Sequence, residues 1–124
     1  MGMEKKNTIL VVDDEVAIAI FLKEYLELNG FDVCVANNSL EALDFFKENM
    51  DKIDLVITDF TMPGLNGIQL AEEMLTDMPE LSILLCSGYS EHVDEAKAKG
   101  MNIKQYINKP INTQQLLSAI NEHI

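Results

Sequence analysis

Four short apolar runs in this sequence each close on side chains able to handle charge. Asp13-Asp14 follows residues 8–12, and Asp59 follows residues 53–58. Ser87 follows residues 81–86, and Asn108-Lys109-Pro110 follows residues 103–107. Each of these has an ordinary explanation when taken alone. Asp13 and Asp14, with Glu15, suit the start of a helix. Asp59 suits a turn ahead of Pro63-Gly64, and Ser87-Gly88 a tight turn. A single Lys109 suits a solvated loop. If the apolar runs are neighbouring parallel strands, however, their ends converge on one rim. Three carboxylates meeting there at about 5 Å, at an effective dielectric near 20, would cost roughly 3 kcal/mol per like-charge pair. Without relief, at least one acid would hold a proton at a raised pKa. A hard divalent cation removes the conflict. Mg²⁺ (or Mn²⁺) fits, because Mg²⁺ takes oxygen ligands, keeps waters and bridges carboxylates to phosphate. A lysine and a hydroxyl beside it suit a phosphoryl group, with a carboxylate as nucleophile.

The elements that must hold these residues alternate. The runs 8–12, 53–58 and 81–86 are continuous apolar stretches of the kind that form buried parallel strands. Residues 31–36 alternate Phe31, Val33 and Val35 with Asp32, Cys34 and Ala36, as an edge strand would, and residues 103–107 form the most polar of the five. Between them lie helical patterns. The first covers residues 14–29 and stops at Gly30. Its front half, residues 16–22, is apolar all round, more than one buried face requires. Asn38 with Glu41 opens the second as a capping box. Ile68, Ala71, Met74, Leu75 and Met78 stripe the third before Pro79. The fourth, residues 91–99, has little but Val93 and alanines to bury. The fifth starts from Asn112 with Gln115 and continues through Leu116, Leu117 and Ile120. Five such units imply a parallel sheet with helices on both faces and a ligand site beyond the carboxyl ends of its strands.

Composition narrows the function. The chain has 124 residues, 21 Asp plus Glu against 9 Lys plus Arg, and a formal net charge of -12. That balance repels nucleic acid. No apolar stretch approaches the length of a membrane span, and residues 1–7 do not form a signal peptide. Residues 1–6 read as a disordered or expression-derived start, with the domain over 7–124. Cys34 and Cys86 both sit in strand-like runs, so two buried thiols are expected and the cytoplasm is the expected compartment. His92 and His123 read as surface histidines.

The sequence resembles the receiver domain of two-component response regulators over nearly its whole length. The match rests on Asp13-Asp14, the segment Asp59-Phe60-Thr61-Met62-Pro63-Gly64-Leu65-Asn66-Gly67, Ser87, and Tyr106 three residues before Lys109-Pro110. The resemblance implies the flavodoxin-like (CheY-like) doubly wound sheet, order 2-1-3-4-5, with five helices. It makes Asp59 the residue phosphorylated by a histidine kinase or phosphotransfer protein. Asp14 and Asp59 would ligate Mg²⁺ by side chain, Asp13 directly or through water and Thr61 by its backbone carbonyl, and Lys109 would bind the phosphoryl group. Lys109-Pro110 becomes a cis-peptide candidate. Ser87 and Tyr106 would act as a switch reorganising the fourth helix, fifth strand and fifth helix for an unknown downstream protein, or for a phosphorylation-dependent homodimer. Core packing is the alternative role for Tyr106.

The front of the first helix would either dock the phosphodonor or be buried. Thr61 and Tyr89 flank the site and bear on how water reaches a phosphoryl group. Such a domain is no enzyme beyond its own phosphorylation and dephosphorylation. Because the chain stops with its fifth helix, no output domain is expected within it. It would be a stand-alone regulator or a piece of a larger protein. Residues 85–91 resemble receivers fused to sensor kinases.

Three other readings compete. A flavodoxin-like cofactor module would want a Ser/Thr/Gly-rich loop after the first strand, where Asp13-Asp14-Glu15 repels anions. An aspartate-nucleophile phosphatase would carry Asp-x-Asp and a cap domain. A degenerate receiver would lack the acids or the lysine.

Overall fold

Aliphatic side chains pack both faces of the central strands, which is what a sheet covered by helices on each side demands. The computed structural model describes residues 6–88 and 100–124. The expected fourth helix at 91–99, with Tyr89 and His92, lies outside the described residues, as do residues 1–5. The elements run β1 (Thr8–Val12), α1 (Val16–Leu28), β2 (Asp32–Ala36), α2 (Ser39–Asn49), β3 (Leu55–Asp59), α3 (Gly67–Asp77), β4 (Ser82–Ser87), β5 (Gln105–Asn108) and a C-terminal helix (Thr113–His123). The sheet is parallel throughout, in the order β2-β1-β3-β4-β5. That is the doubly wound order expected. Four helices are present among the described residues.

Alternation along the strands divides the core into two layers. Ile9 and Val11 of β1 and Ile57 of β3 pack against Leu22 and Leu26 of α1 and Leu116 and Ile120 of the C-terminal helix. Leu10, Val12 and Val56 face the other way, onto Phe46 of α2 and Leu70 and Met74 of α3. Phe46, Leu22, Leu26, Leu70 and Met74 are fully or almost fully buried. Each is worth roughly 1.5–3 kcal/mol of burial. β2 is an edge strand, with Asp32 exposed and Val33 and Ala36 buried. Cys86 is buried as expected, whereas Cys34 is only partly buried on the edge strand; the two pack in opposite layers and both are free thiols.

Local boundaries shift for identifiable reasons. α1 starts at Val16 rather than Asp14, because an Asp13 carboxylate oxygen accepts the Glu15 N–H at 2.9 Å and turns the chain before the helix begins. The helix ends as expected, with Gly30 at φ 93° supplying the left-handed residue beyond it. Asn38 caps α2 through the Glu41 N–H at 2.8 Å, but the Glu41 carboxylate reaches the Asn37 N–H instead of closing on Asn38. β3 and β4 each extend one residue further than the apolar runs suggest, taking in Asp59 and Ser87.

Candidate functional site

Strand register brings the acids together. Val12 on β1 pairs with Thr58 on β3, so Asp13 and Asp59 are the next residues along two adjacent strands. Among the described residues, Asp13, Asp14 and Asp59 offer carboxylate oxygens that all lie within 4.8 Å of one another. Asp13 and Asp59 are buried while Asp14 is exposed. Burial pushes the Asp13 carboxyl above the usual carboxylate range, and the charges of Asp59 and Glu15 add to that. The Glu15 N–H and the Lys109 ammonium pull the other way.

Lys109 offsets part of this charge. Its Nζ lies 2.5 Å from Asp59 Oδ1, an oxygen that also accepts the Phe60 N–H at 3.0 Å. The lysine reaches that position because the end of β5 is stitched to β4. The Lys109 N–H donates to the Ser87 carbonyl at 2.9 Å, and Ser87 pairs with Asn108 in register. The Lys109-Pro110 peptide is cis. Beside Asp59 in the sheet sits Cys86, whose thiol is pushed up to about 12 by burial and by the Asp59 charge. It is therefore a neutral packing group at physiological pH.

Ser87 is buried at the end of β4, and Tyr106 on β5 pairs with Leu85. Parity then places Ser87, Leu85 and Tyr106 on one face of the sheet. Tyr106 is 38% exposed, so it is not a closed core residue. Thr61 is exposed in the loop after β3. On α1, Val16, Ile20 and Phe21 are each about half exposed, at 55%, 49% and 53%, while Ala19, Leu22 and Leu26 fill the core. The excess apolar residues of the front of α1 are thus a surface patch.

The loop between β3 and α3 holds features beyond those singled out in the sequence. Asn66 and Gln69 form a complete capping box at the start of α3. Its Asn-x-x-Gln signature ahead of an apolar run was readable. Gly67 is packed so closely that a Cβ there would meet the Asp59 carbonyl, Leu85 Cδ1 at 2.6 Å and Phe60 Cα at 3.0 Å. Ser39, 24 residues from its partner Pro63, gave no local signal.

A family model described as the response regulator receiver domain matches residues 9–121. The chain belongs to this family. Among curated relatives of this receiver domain, the chemotaxis protein CheY of Bacillus subtilis is 33% identical over 94% of the chain and 96% of its own length. The transcriptional regulatory protein CpxR homolog of Haemophilus influenzae is also 33% identical, over 92% of this chain but 48% of its own length. The receiver thus spans about half of that relative. A response regulator receiver domain protein from Clostridium thermocellum superposes with a TM-score of 0.90 at 36% identity, covering 95% of this chain and 94% of its own. The response regulator TrrA from Thermotoga maritima, solved in complex with Mg(2+)-BeF, superposes at 0.82 with 34% identity, over 95% and 99% of the two chains. Receiver domains are signalling domains rather than conventional enzymes, and their family works with histidine kinases or phosphotransfer proteins. No described helix of this receiver is long and apolar enough to cross a membrane.

Proposed function

We propose that this receiver, spanning residues 7–124, accepts a phosphoryl group on Asp59 from a phosphohistidine of a sensor kinase or phosphotransfer protein. The observation that carries the reading is the trio of carboxylates within 4.8 Å, with Lys109 paired to the residue assigned as nucleophile. An oxygen of Asp59 attacks phosphorus, forming an acyl phosphate. The P–N bond breaks, and its electron pair stays on the imidazole nitrogen, which takes up a proton. Lys109 neutralises charge on the transferred oxygens.

The donor set fits a hard cation: three carboxylates converge, two of them buried, with one lysine as the opposing charge. Asp13, Asp14 and Asp59, with the backbone carbonyl of Thr61, would hold Mg²⁺ (or Mn²⁺). When bound, the ion supplies the charge neutralisation that lets an anionic phosphoryl group approach. The Mg²⁺ in the TrrA complex supports this assignment.

A phosphoryl oxygen on Asp59 gives Ser87 a hydrogen-bond acceptor that the unmodified carboxylate does not place there. Movement of Ser87 towards it opens space on the face it shares with Tyr106, whose exposed ring can turn inward. The resulting change would run through β5, the C-terminal helix and residues 91–99 to a downstream protein or to a second copy. The Val16, Ile20 and Phe21 patch, on the helix that follows Asp13-Asp14, is the proposed docking surface for the phosphodonor. The cytoplasm is the proposed compartment.

Incubation with Mg²⁺ and acetyl phosphate, read by intact mass, tests the assignment. One added phosphoryl group is expected, lost in Asp59→Asn and on adding chelator. An unmodified wild-type protein would refute it.

A further inference from the structure

Ser39 is a buried hydroxyl on the first turn of α2, and its partners belong to the loop after β3, not to its own helix. Its Oγ donates to the Pro63 carbonyl at 3.3 Å and accepts the Leu65 N–H at 2.9 Å. Between those two residues the chain turns at Gly64, with φ 83°. A Cβ at Gly64 would come within 2.7 Å of the same Oγ. The hydroxyl therefore fits a bend that only a glycine makes without strain. Both polar groups it satisfies are backbone groups of one short loop, which is also tied by the Gly67 N–H to the Phe60 carbonyl at 2.7 Å and by the Asn66 cap. Thr61, the proposed carbonyl ligand, lies inside the segment closed by these ties.

We propose that Ser39 is a positioning residue for the cation site: its hydroxyl clasps residues 63–65 of the β3–α3 loop and thereby sets the backbone at Thr61. The inference rests on the metal-binding reading of the carboxylates given above. Two hydrogen bonds from one buried side chain fix the loop on both sides of its bend, so the carbonyl is held in place before a cation arrives. Loss of the hydroxyl leaves the Leu65 N–H without this partner and lets the loop spread over several arrangements. The cation then has to select one of them. The cost falls on affinity, not on the chemistry once the ion is in place. Groups that orient a metal's ligands commonly matter in this way.

The test is the Mg²⁺ dependence of acetyl phosphate labelling, together with calorimetric titration of MgCl₂ into the full chain. Wild type, Ser39→Ala, Ser39→Cys and Ser82→Ala are compared. Ser82 is the matched control: its hydroxyl also donates to a backbone carbonyl, that of His123 at 2.8 Å, at the opposite end of the sheet. The half-saturating Mg²⁺ concentration is expected to rise about tenfold in Ser39→Ala. Ser39→Cys, which retains volume and a weak donor, is expected to fall between Ala and wild type and covers the case in which Ala does not fold. The labelling rate at saturating Mg²⁺ stays near wild type in both, and Ser82→Ala does not shift the half-saturation point. Mg²⁺ affinity unchanged at position 39, or weakened equally in Ser82→Ala, overturns the role of Ser39 while leaving the carboxylate site standing. No Mg²⁺ binding by the wild-type chain overturns both.

Discussion

The two ends of the sheet treat polar groups in opposite ways. At the amino ends of the strands, the Asp54 carboxylate accepts the Thr8 N–H at 2.8 Å, the Ser82 hydroxyl donates to His123, and the His123 ring meets Gln105 at 3.1 Å. The Asp54 carboxylate and the Ser82 hydroxyl each meet a complementary partner there, and among the described residues the acidic cluster lies at the other end. At the carboxyl ends, three acids crowd within 4.8 Å and Lys109 is the cation paired with them. The first arrangement stabilises the fold. The second opposes folding, and the proposed cation would relieve that opposition.

The sharpest way to break that comparison is to remove the cation on the acidic end. Lys109→Ala is expected to slow labelling by acetyl phosphate at saturating Mg²⁺ by at least about 100-fold, the scale of losing one positioned charge in phosphoryl or acyl transfer. A change of only a few-fold would mean the lysine serves the fold alone. Next in size is Gly67→Ala, whose new methyl group meets the backbone of Asp59 and Phe60. Denaturant unfolding should show a loss of about 2 kcal/mol, typical of overpacking where backbone must move.

Asp13→Asn should act in the opposite direction. The Asp13 pKa is raised in the folded state, so its contribution to stability is fully present below the unfolded value of 3.8 and is lost as pH rises through the folded pKa. At pH 7 without metal the ionised Asp13 is therefore a burden. Asn keeps an oxygen for the Glu15 N–H and should raise stability by about 1 kcal/mol, a screened fraction of the Coulomb repulsion. That gain should disappear at pH 3, and saturating Mg²⁺ should favour wild type instead. The smallest effect is expected at the quiet end. Ser82→Ala should cost about 1 kcal/mol or less in unfolding experiments, the net worth of one hydrogen bond, with no change in labelling rate.

Much of the acidic end was legible because its residues sit at positions that pattern alone defines. The apolar run 8–12 ends where Asp13 begins, and the same logic located Asp59, Ser87 and Lys109. Periodicity stops being informative at a strand's last residue, since a polar side chain can still occupy a ladder position. That is why Asp59 and Ser87 lie inside their strands and not after them. The front of α1 was ambiguous for another reason. Val16, Ile20 and Phe21 look the same in sequence whether a neighbour covers them or not, and only the placement of α1 against one sheet face exposes them. Cys86 could be read as a buried thiol, but the Asp59 charge that raises its pKa is set by sheet register.

Local chemistry in the chain was sufficient for the alternation of strands and helices, the helix stops and caps, and the identity of the acids, hydroxyl and lysine, since each depends on neighbours a few residues away. Tertiary structure decided the rest. It set the separation of Asp13 from Asp59, the reach of Lys109 to Asp59 Oδ1, and the meeting of Ser39 with Pro63 and Leu65. Those contacts join residues 24 to 50 positions apart, and their geometry comes from strand register and close packing, which no short stretch of sequence contains.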